Sequence, residues 1–421
     1  MKKLCLAVGI IAVLSAVLAI ALAPRAARLS EPEYDGRKLT AWLEDEHDSG
    51  IPDIDPASAI RRMGTNAVPF LVQMLQANDS PFKRKCMDLL SRQHWVHFHI
   101  LYDFQKRSLA LQGLGILGPD AKAAIPDLAN LLSTGNQDVD TDTVLLALSE
   151  IGPDAVPVLG KALTNSNSAV RWHAAQALGS MAVPSSVPWL LAALKHPDPH
   201  TRLCAARALA RFPRQADVIV PALLNCVDDP DSGVRANVAG SLGNFGGYAR
   251  PAFPKLLTMV ADANETVSDN ATYALMHIDL GGTLAAFTNN LESPDVNVRR
   301  TTAWALMHFS SNGEPAAPFL VKCLKDPDPA VRKNAAIALS GIASDPDLVV
   351  PALMANLSDT NADVREDAAV ALRSYGERAR AAVPQILKII EENKGNDVET
   401  GAFYDALDAI DPGAAIKLNE K

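Results

Sequence analysis

The sequence predicts an all-α fold, a right-handed α-solenoid of about ten short helix pairs. Three observations carry that expectation. One segment recurs along the chain at steps of 31 or 33 residues, a second segment opened by proline follows each copy, and in both the apolar residues fall at helical spacing. Composition agrees, because the chain is 48% apolar but only 5% aromatic, which suits closely packed helices better than a β-sandwich. A single core formed by 421 residues would divide into several domains. A repeat array instead grows along one axis, each unit touching only its neighbours.

The first segment reads VRWHAAQAL (170–178), TRLCAARAL (201–209), VRANVAGSL (234–242), VSDNATYAL (267–275), VRRTTAWAL (298–306), VRKNAAIAL (331–339) and VREDAAVAL (364–372). Its arginine position falls at 171, 202, 235, 268, 299, 332 and 365. Small or apolar residues three, six and seven positions later form one stripe on a helix, and the small alanines let neighbouring helices approach closely. The second segment begins with proline at 69, 126, 157, 188, 221, 254, 318, 351 and 384. Proline suits a first helical turn, where its missing N–H is not needed. Between the two segments, GPDA and PSS act as breakers.

The joints between units are equally regular. Asp198, Asp231, Asp295 and Asp328 each stand four residues before an arginine, and Asn167 and Asn361 take the same place. Such residues can N-cap the first helix, with Pro199 and Pro329 at the next position. The arginine one turn along can pair with its own cap or with that of an adjacent unit, giving a ladder of pairs. The spacing does not match a calcium loop. Cys86, Cys204, Cys226 and Cys323 show neither CxxC spacing nor disulfide density and read as small buried hydrophobes.

The paired helices, the proline opening the second, and the Asp-x-x-Val-Arg-x-x-Ala-x-x-Ala-Leu pattern resemble HEAT repeats. The short units are similar to those of phycobilisome-lyase-type HEAT-like proteins. The Thr-Pro-Leu-His opening of ankyrin repeats and the Trp, Leu-Gly and Tyr pattern of tetratricopeptide repeats are absent. The lead segment from Gly36 to Leu43, with Leu39, Trp42 and Leu43, resembles the layout of bacterial envelope-type HEAT proteins. It reads as an amphipathic helix over 33–46 that caps the first repeat.

These readings divide the chain into an apolar segment at 1–28, a cap at 29–54, the repeat array at 55–394 and a C-terminal cap at 395–421. Lys2 and Lys3 precede an uncharged run from Leu4 to Ala23, about 30 Å long as a helix and long enough to cross a bilayer. A cleaved signal peptide is the alternative, but its apolar core is usually shorter and Pro24 is a poor neighbour for cleavage. The charges flanking the run favour an anchor that displays the body in a periplasm or outside the cell.

Two places break the period. The unit at 264–291 has Asn264 for Asp, Ser268 for Arg, and Ala285 for Pro after Gly281-Gly282, which reads as drift or a local change of curvature. Residues 76–108 form an irregular insertion holding Lys83, Arg84, Lys85, His94, Trp95, His97, Phe98 and His99. Histidines are metal-ligand types, but no carboxylate stands at helical ligand spacing, so a lid or partner-contact insertion is expected and no metal.

The function expected is a non-enzymatic scaffold that binds a protein or peptide and requires no cofactor. HEAT-like second helices are expected to line the concave side, where the positions one and four after proline vary most. Trp189, Phe319, Lys161, Asn225 and Lys322 are the candidate contacts there, in company with Phe70, Gln73, Asn130, Thr258, Asn289 and Lys388. Some HEAT-like relatives are metal-dependent hydroxylases with His-Glu pairs, and others act on bilins. No His-Glu dipeptide occurs here, and His277 and His308 read as helix C-terminal residues. No Gly-x-Ser-x-Gly, P-loop or dinucleotide fingerprint is present. Removing the four positive charges of residues 1–28 from the formal −9 leaves −13 for the body, which disfavours a nucleic-acid partner.

Overall fold

The computed structural model describes residues 29–44, 55–77, 85, 87, 101–133, 141–342, 345–393 and 397–419. The segment 1–28, most of the insertion at 76–108, and with it His94, His97 and His99, lie outside the described residues. The chain divides into two compact units, Met1–Arg211 and Phe212–Lys421.

The first unit opens with a two-stranded antiparallel hairpin, β1 (Glu33–Tyr34) and β2 (Arg37–Lys38). It continues through α1 (Leu39–Leu43), α2 (Pro56–Met63), α3 (Val68–Leu75), α4 (Asp103–Leu117), α5 (Ile125–Ser133), α6 (Thr141–Ile151), α7 (Val156–Ala162), α8 (Ser168–Met181), α9 (Val187–Ala193) and α10 (Pro199–Leu209). The second unit contains α11 (Ala216–Leu224), α12 (Ser232–Asn244), α13 (Phe253–Met259), α14 (Glu265–Asn290), α15 (Val296–Leu306), α16 (Ala317–Cys323), α17 (Pro329–Ile342), α18 (Pro346–Asn356), α19 (Ala362–Tyr375), α20 (Val383–Glu392), α21 (Asp397–Ile410) and α22 (Pro412–Asn419). This is an all-α solenoid of stacked helix pairs, with the first helices of successive repeats side by side inside each unit.

The caps fall where the sequence places them. The side chains of Asn167, Asp198, Asp231, Asn264, Asp295, Asp328 and Asn361 each accept a backbone N–H from the first turn of the following helix. Several first helices end on a residue in the left-handed region, as at Gly118 and Gly376, and a 3₁₀ turn then leads into the second helix. Ala182 and Ser310 adopt the same positive φ where no glycine is available. Small residues set the spacing of the first helices. A Cβ added to Gly243 would lie 2.8 Å from the Cα of Ala274, and one on Gly179 would lie 3.0 Å from the Cβ of Ala208.

Three expectations are corrected. Residues 33–38 form a hairpin rather than helix, because Asp35-Gly36 takes positive φ at both residues (54° and 73°), the geometry of a two-residue turn between strands. Leu39, Trp42 and Leu43 are buried on the short helix that follows. Pro221 and Pro351 lie inside α11 and α18 instead of opening them, since these helices start five residues earlier. The far end of the insertion belongs to the array, because residues 103–108 are the start of α4 and its buried Arg107 donates to the carbonyl of Ala77 at 2.8 Å. The irregular unit at 264–291 has no 3₁₀ connector; its two helices run together through Asp279, which is extended (φ −161°, ψ 90°) and caps the second half by accepting from the N–H of Gly282 at 2.9 Å.

The arginine ladder takes a definite form. Arg235, Arg299 and Arg332 each hold a carboxylate of the next repeat with two parallel bonds: Asp262 at 2.8 and 2.9 Å, Asp326 at 2.6 and 3.0 Å, and Asp359 at 2.7 and 2.8 Å. These acceptors stand two residues before the cap. The remaining nitrogen of each arginine donates to two carbonyls of the loop behind it, as Arg332 does to Asp326 at 2.7 Å and Pro327 at 3.2 Å. Where that acceptor position is His196, Arg171 turns to the cap itself, Asp198 at 2.7 Å, and to the hydroxyl of Thr201 at 2.7 Å. At the irregular unit both charges of the rung are replaced, by Ser268 and Ser293, and Ser268 donates to the carbonyl of Val260 at 2.6 Å. No guanidinium or carboxylate is left half-paired there.

The guanidiniums hold Asp198, Asp262 and Asp359 below the usual carboxylate range through charge-assisted hydrogen bonds. A carboxyl whose folded pKa is depressed adds stability above its unfolded value, about 3.9, and that stability is lost as pH falls through the folded value. Arg332→Ala is expected to cost about 2–3 kcal/mol, toward the lower end for a broken pair because the two side chains retain 13% and 11% exposure. Urea denaturation should show a lowered midpoint at pH 7 and a smaller loss than wild type between pH 5 and about pH 3; equal acid sensitivity in the two proteins would remove the ladder from this account.

Candidate functional site

Five residues were expected to mark a contact surface on the second helices, and the structure places four of them on α7, α9 and α16 and Asn225 directly after α11. In the first unit Lys161 is exposed on α7 and borders a cleft of ≈ 250 Å³ lined also by Leu132, Val158 and Asn165. Trp189 of α9 is half-buried, and its indole lies flat over Gly160, where a Cβ would come within 2.2 Å of the ring. Glycine at 160 therefore makes the seat of the Trp189 ring.

In the second unit Asn225 is exposed at the end of α11. Phe319 and Lys322 are brought together on α16, with the lysine Nζ 5.1 Å from the ring centroid and 3.0 Å from Glu292 of the preceding repeat. A cation over an aromatic face is held there by the ring quadrupole.

A second surface was not anticipated. Five residues after the arginine position, the first helices carry Tyr273, Trp304, Ile337 and Val370 in four successive repeats of the second unit. Tyr273 and Val370 are 50% and 40% exposed, and Trp304 and Ile337 are half-buried. The residues four positions earlier, Asp269, Arg300, Lys333 and Glu366, edge the row with two cations between two carboxylates. The same steps of 31 and 33 residues that align the arginine position also align this one, so the signal is present in the sequence.

The titratable groups around these faces are mostly structural. His277 places Nδ1 2.8 Å from the carbonyl of Tyr273 and stacks on its ring at 3.9 Å. His308 reaches Asp269 at 3.2 Å. Burial pushes the thiols of Cys204 and Cys323 up to about 11, so both act as small apolar side chains at neutral pH. Cys86 lies outside the described residues. Among the described residues no group of three or more His, Cys, Asp or Glu is placed to hold a metal ion. Also among the described residues, no helix is long and apolar enough to cross a membrane.

Comparison with known proteins adds to this geometry. The sequence profile described as HEAT repeats matches residues 156–220, 187–276, 284–373 and 317–407, which together cover more than half of the chain. No curated protein matches the sequence. Among solved structures, the chain is similar to the karyopherin Kap121p bound to the extreme C-terminus of the protein phosphatase Cdc14p, with a TM-score of 0.55 and 14% identity over 98% of this chain and 49% of that one. It is also similar to Kap95p in its complex with RanGDP, with a TM-score of 0.51 and 15% identity over 91% of this chain and 57% of that one. The chain thus spans about half the length of these structures, and identities this low speak to the fold alone.

The Trp189 seat can be tested directly. In Gly160→Ala the new methyl displaces the indole, and the fraction of tryptophan emission quenched by acrylamide should rise. The rise should vanish in Gly160→Ala with Trp189→Phe; if it persists, the ring does not rest where it is described.

Proposed function

The chain belongs to the HEAT-repeat family, and from that premise we propose that it is a non-enzymatic scaffold for protein or peptide partners. The observation that carries this reading is the row of outward apolar side chains Tyr273, Trp304, Ile337 and Val370, one per repeat. Tyr273 and Val370 are 50% and 40% exposed and Trp304 and Ile337 are half-buried, so each leaves apolar surface in water beyond what the stacking covers, and such surface suits a partner contact. The solved structures similar in fold point the same way, since Kap121p is there bound to segments of other proteins and Kap95p to RanGDP. Trp189, Phe319, Lys161, Asn225 and Lys322 form the second contact face in this proposal, on the second helices.

The reading extends to subtype and place. Units of 31 and 33 residues support the short, phycobilisome-lyase-type form of the repeat. Lys2 and Lys3 followed by the uncharged run Leu4–Ala23 support display of the array at a cell envelope through an N-terminal segment. The absence of a His-Glu dipeptide supports a scaffold over a HEAT-like hydroxylase, and the acidic body supports a protein over a nucleic-acid partner.

Affinity capture from envelope fractions, with full-length chain as bait, tests the scaffold reading. Partner recovery should fall at least about fivefold in Tyr273→Ser with Trp304→Ser, the range expected when a contact residue worth about 1 kcal/mol or more is removed. Trp189→Ala with Phe319→Ala reports on the second-helix face in the same way. Recovery unchanged in both variants, with wild-type far-UV circular dichroism, would sink the proposal.

A further inference from the structure

One cleft in the first unit is unlike the rest of this acidic molecule. It lies between the first helices α8 and α10, holds ≈ 100 Å³, and is bordered by Trp172, Gln176, Arg207 and Arg211 over a floor of Gly179 and Cys204. Floor and walls owe their shape to packing, because Gly179 lets α8 and α10 touch at Ala208 and so opens the groove beside it. Arg207 and Arg211 are both exposed, and no carboxylate among the described residues engages either guanidinium. Ladder arginines such as Arg171 and Arg235, by contrast, are closed off by aspartate. Arg207, in the last turn of α10, suits the helix dipole, but a second uncommitted cation beside it adds self-repulsion that the fold does not require.

The aromatic edge of the cleft is held in advance. Trp172 is 38% exposed and its ring lies 4.0 Å from that of His173. His173 is fixed in turn by Nδ1 contacts to Asp142 at 2.7 Å and to the carbonyl of Ala169 at 2.9 Å. A partner group therefore meets a flat apolar surface that loses little freedom on binding.

We propose that this cleft docks an acidic peptide segment of a partner protein, in which two carboxylate side chains separated by one residue meet Arg207 and Arg211 and a neighbouring apolar side chain lies on Trp172. Arg207 lies in the last turn of α10 and Arg211 in the turn just beyond it, both on the border of the one cleft, and alternate side chains of an extended peptide, roughly 6–7 Å apart on one face, can reach one guanidinium each. The chemistry fits as well, since each guanidinium can take one carboxylate with two parallel bonds, and Gln176 offers an amide to the peptide backbone. A nucleic-acid strand carries its charge along its whole length, and the formal −9 of the chain opposes it beyond these two residues. This site is separate from the faces assigned above and does not rest on them.

Fluorescence anisotropy with the full chain at low salt provides the test. The probe is a fluorescein-labelled peptide with two glutamates flanking a serine and followed by leucine; its comparisons are the same peptide with glutamines and a labelled oligothymidylate. Saturable binding of the glutamate peptide is expected, weakened about tenfold or more by glutamine in the peptide, by Arg207→Gln with Arg211→Gln, and by Trp172→Ala. Arg207 and Arg211 are exposed, so the double arginine variant should melt as wild type does, and it carries the test whatever Trp172→Ala costs in stability. Trp189→Ala with Phe319→Ala should leave this affinity unchanged, so failure here and failure of the scaffold reading are read separately. Absence of saturable binding, equal affinity in the double arginine variant, or tighter binding of the oligothymidylate would overturn the proposal.

Discussion

A guanidinium clamped between one repeat and the next is the interaction on which the second unit's regularity depends. Arg235, Arg299 and Arg332 each satisfy two carbonyls of the loop behind and a carboxylate of the loop ahead. Loops carry the backbone groups that helices leave unpaired, and in these half-buried loops between stacked helices the guanidinium supplies donors that the helices do not. One planar cation solves that problem on both sides at once, which a lysine could not do with the same geometry. Because the fork admits one orientation, it also fixes how far each first helix can slide along its neighbour. The surface rows follow from this: residues at a given repeat position line up only when the register is constant.

Small residues complete the constraint from the other side. Gly243 against Ala274 and Gly179 against Ala208 bring helices to near backbone contact, where a methyl group would already collide. The apolar core is therefore built mostly from alanine and leucine. The larger rings are spent at places with a specific role, as with Phe287 against Phe309 near the irregular unit, 5.5 Å apart and both fully buried.

Much of this was legible in the sequence, for physical reasons that also explain the rest. Helical spacing, prolines and Asp or Asn caps are local codes, read from residues within a turn of one another; the caps appear where expected, and the prolines do except at Pro221 and Pro351, where the helix starts earlier. The partner of the arginine is not a local code. Its own cap and the acidic residues of the next loop recur with the same period, so only the fold distinguishes Asp359 from Asp328 as the acceptor for Arg332. The seat of Trp189 on Gly160 joins two repeats and leaves no trace in either one alone. The hairpin at Asp35-Gly36 was legible as a turn dipeptide but was outweighed by the apolar Leu39, Trp42 and Leu43 just beyond it. The row from Tyr273 to Val370 was equally visible at its repeat position, and Arg207 and Arg211 stand away from the ladder position, where only the fold shows that no aspartate among the described residues faces them.

The serine pair at 268 and 293 has a consequence for how the array bears load. In a one-dimensional stack the total stability is a sum of repeat terms and nearest-neighbour terms, so a junction without a fork lowers cooperativity at that point and nowhere else. The helices of this unit also run together through an extended Asp279 with two glycines behind it, where bending is easiest. Tension applied along the second unit would concentrate here, and the stack would part into two shorter springs before either lost its own helices.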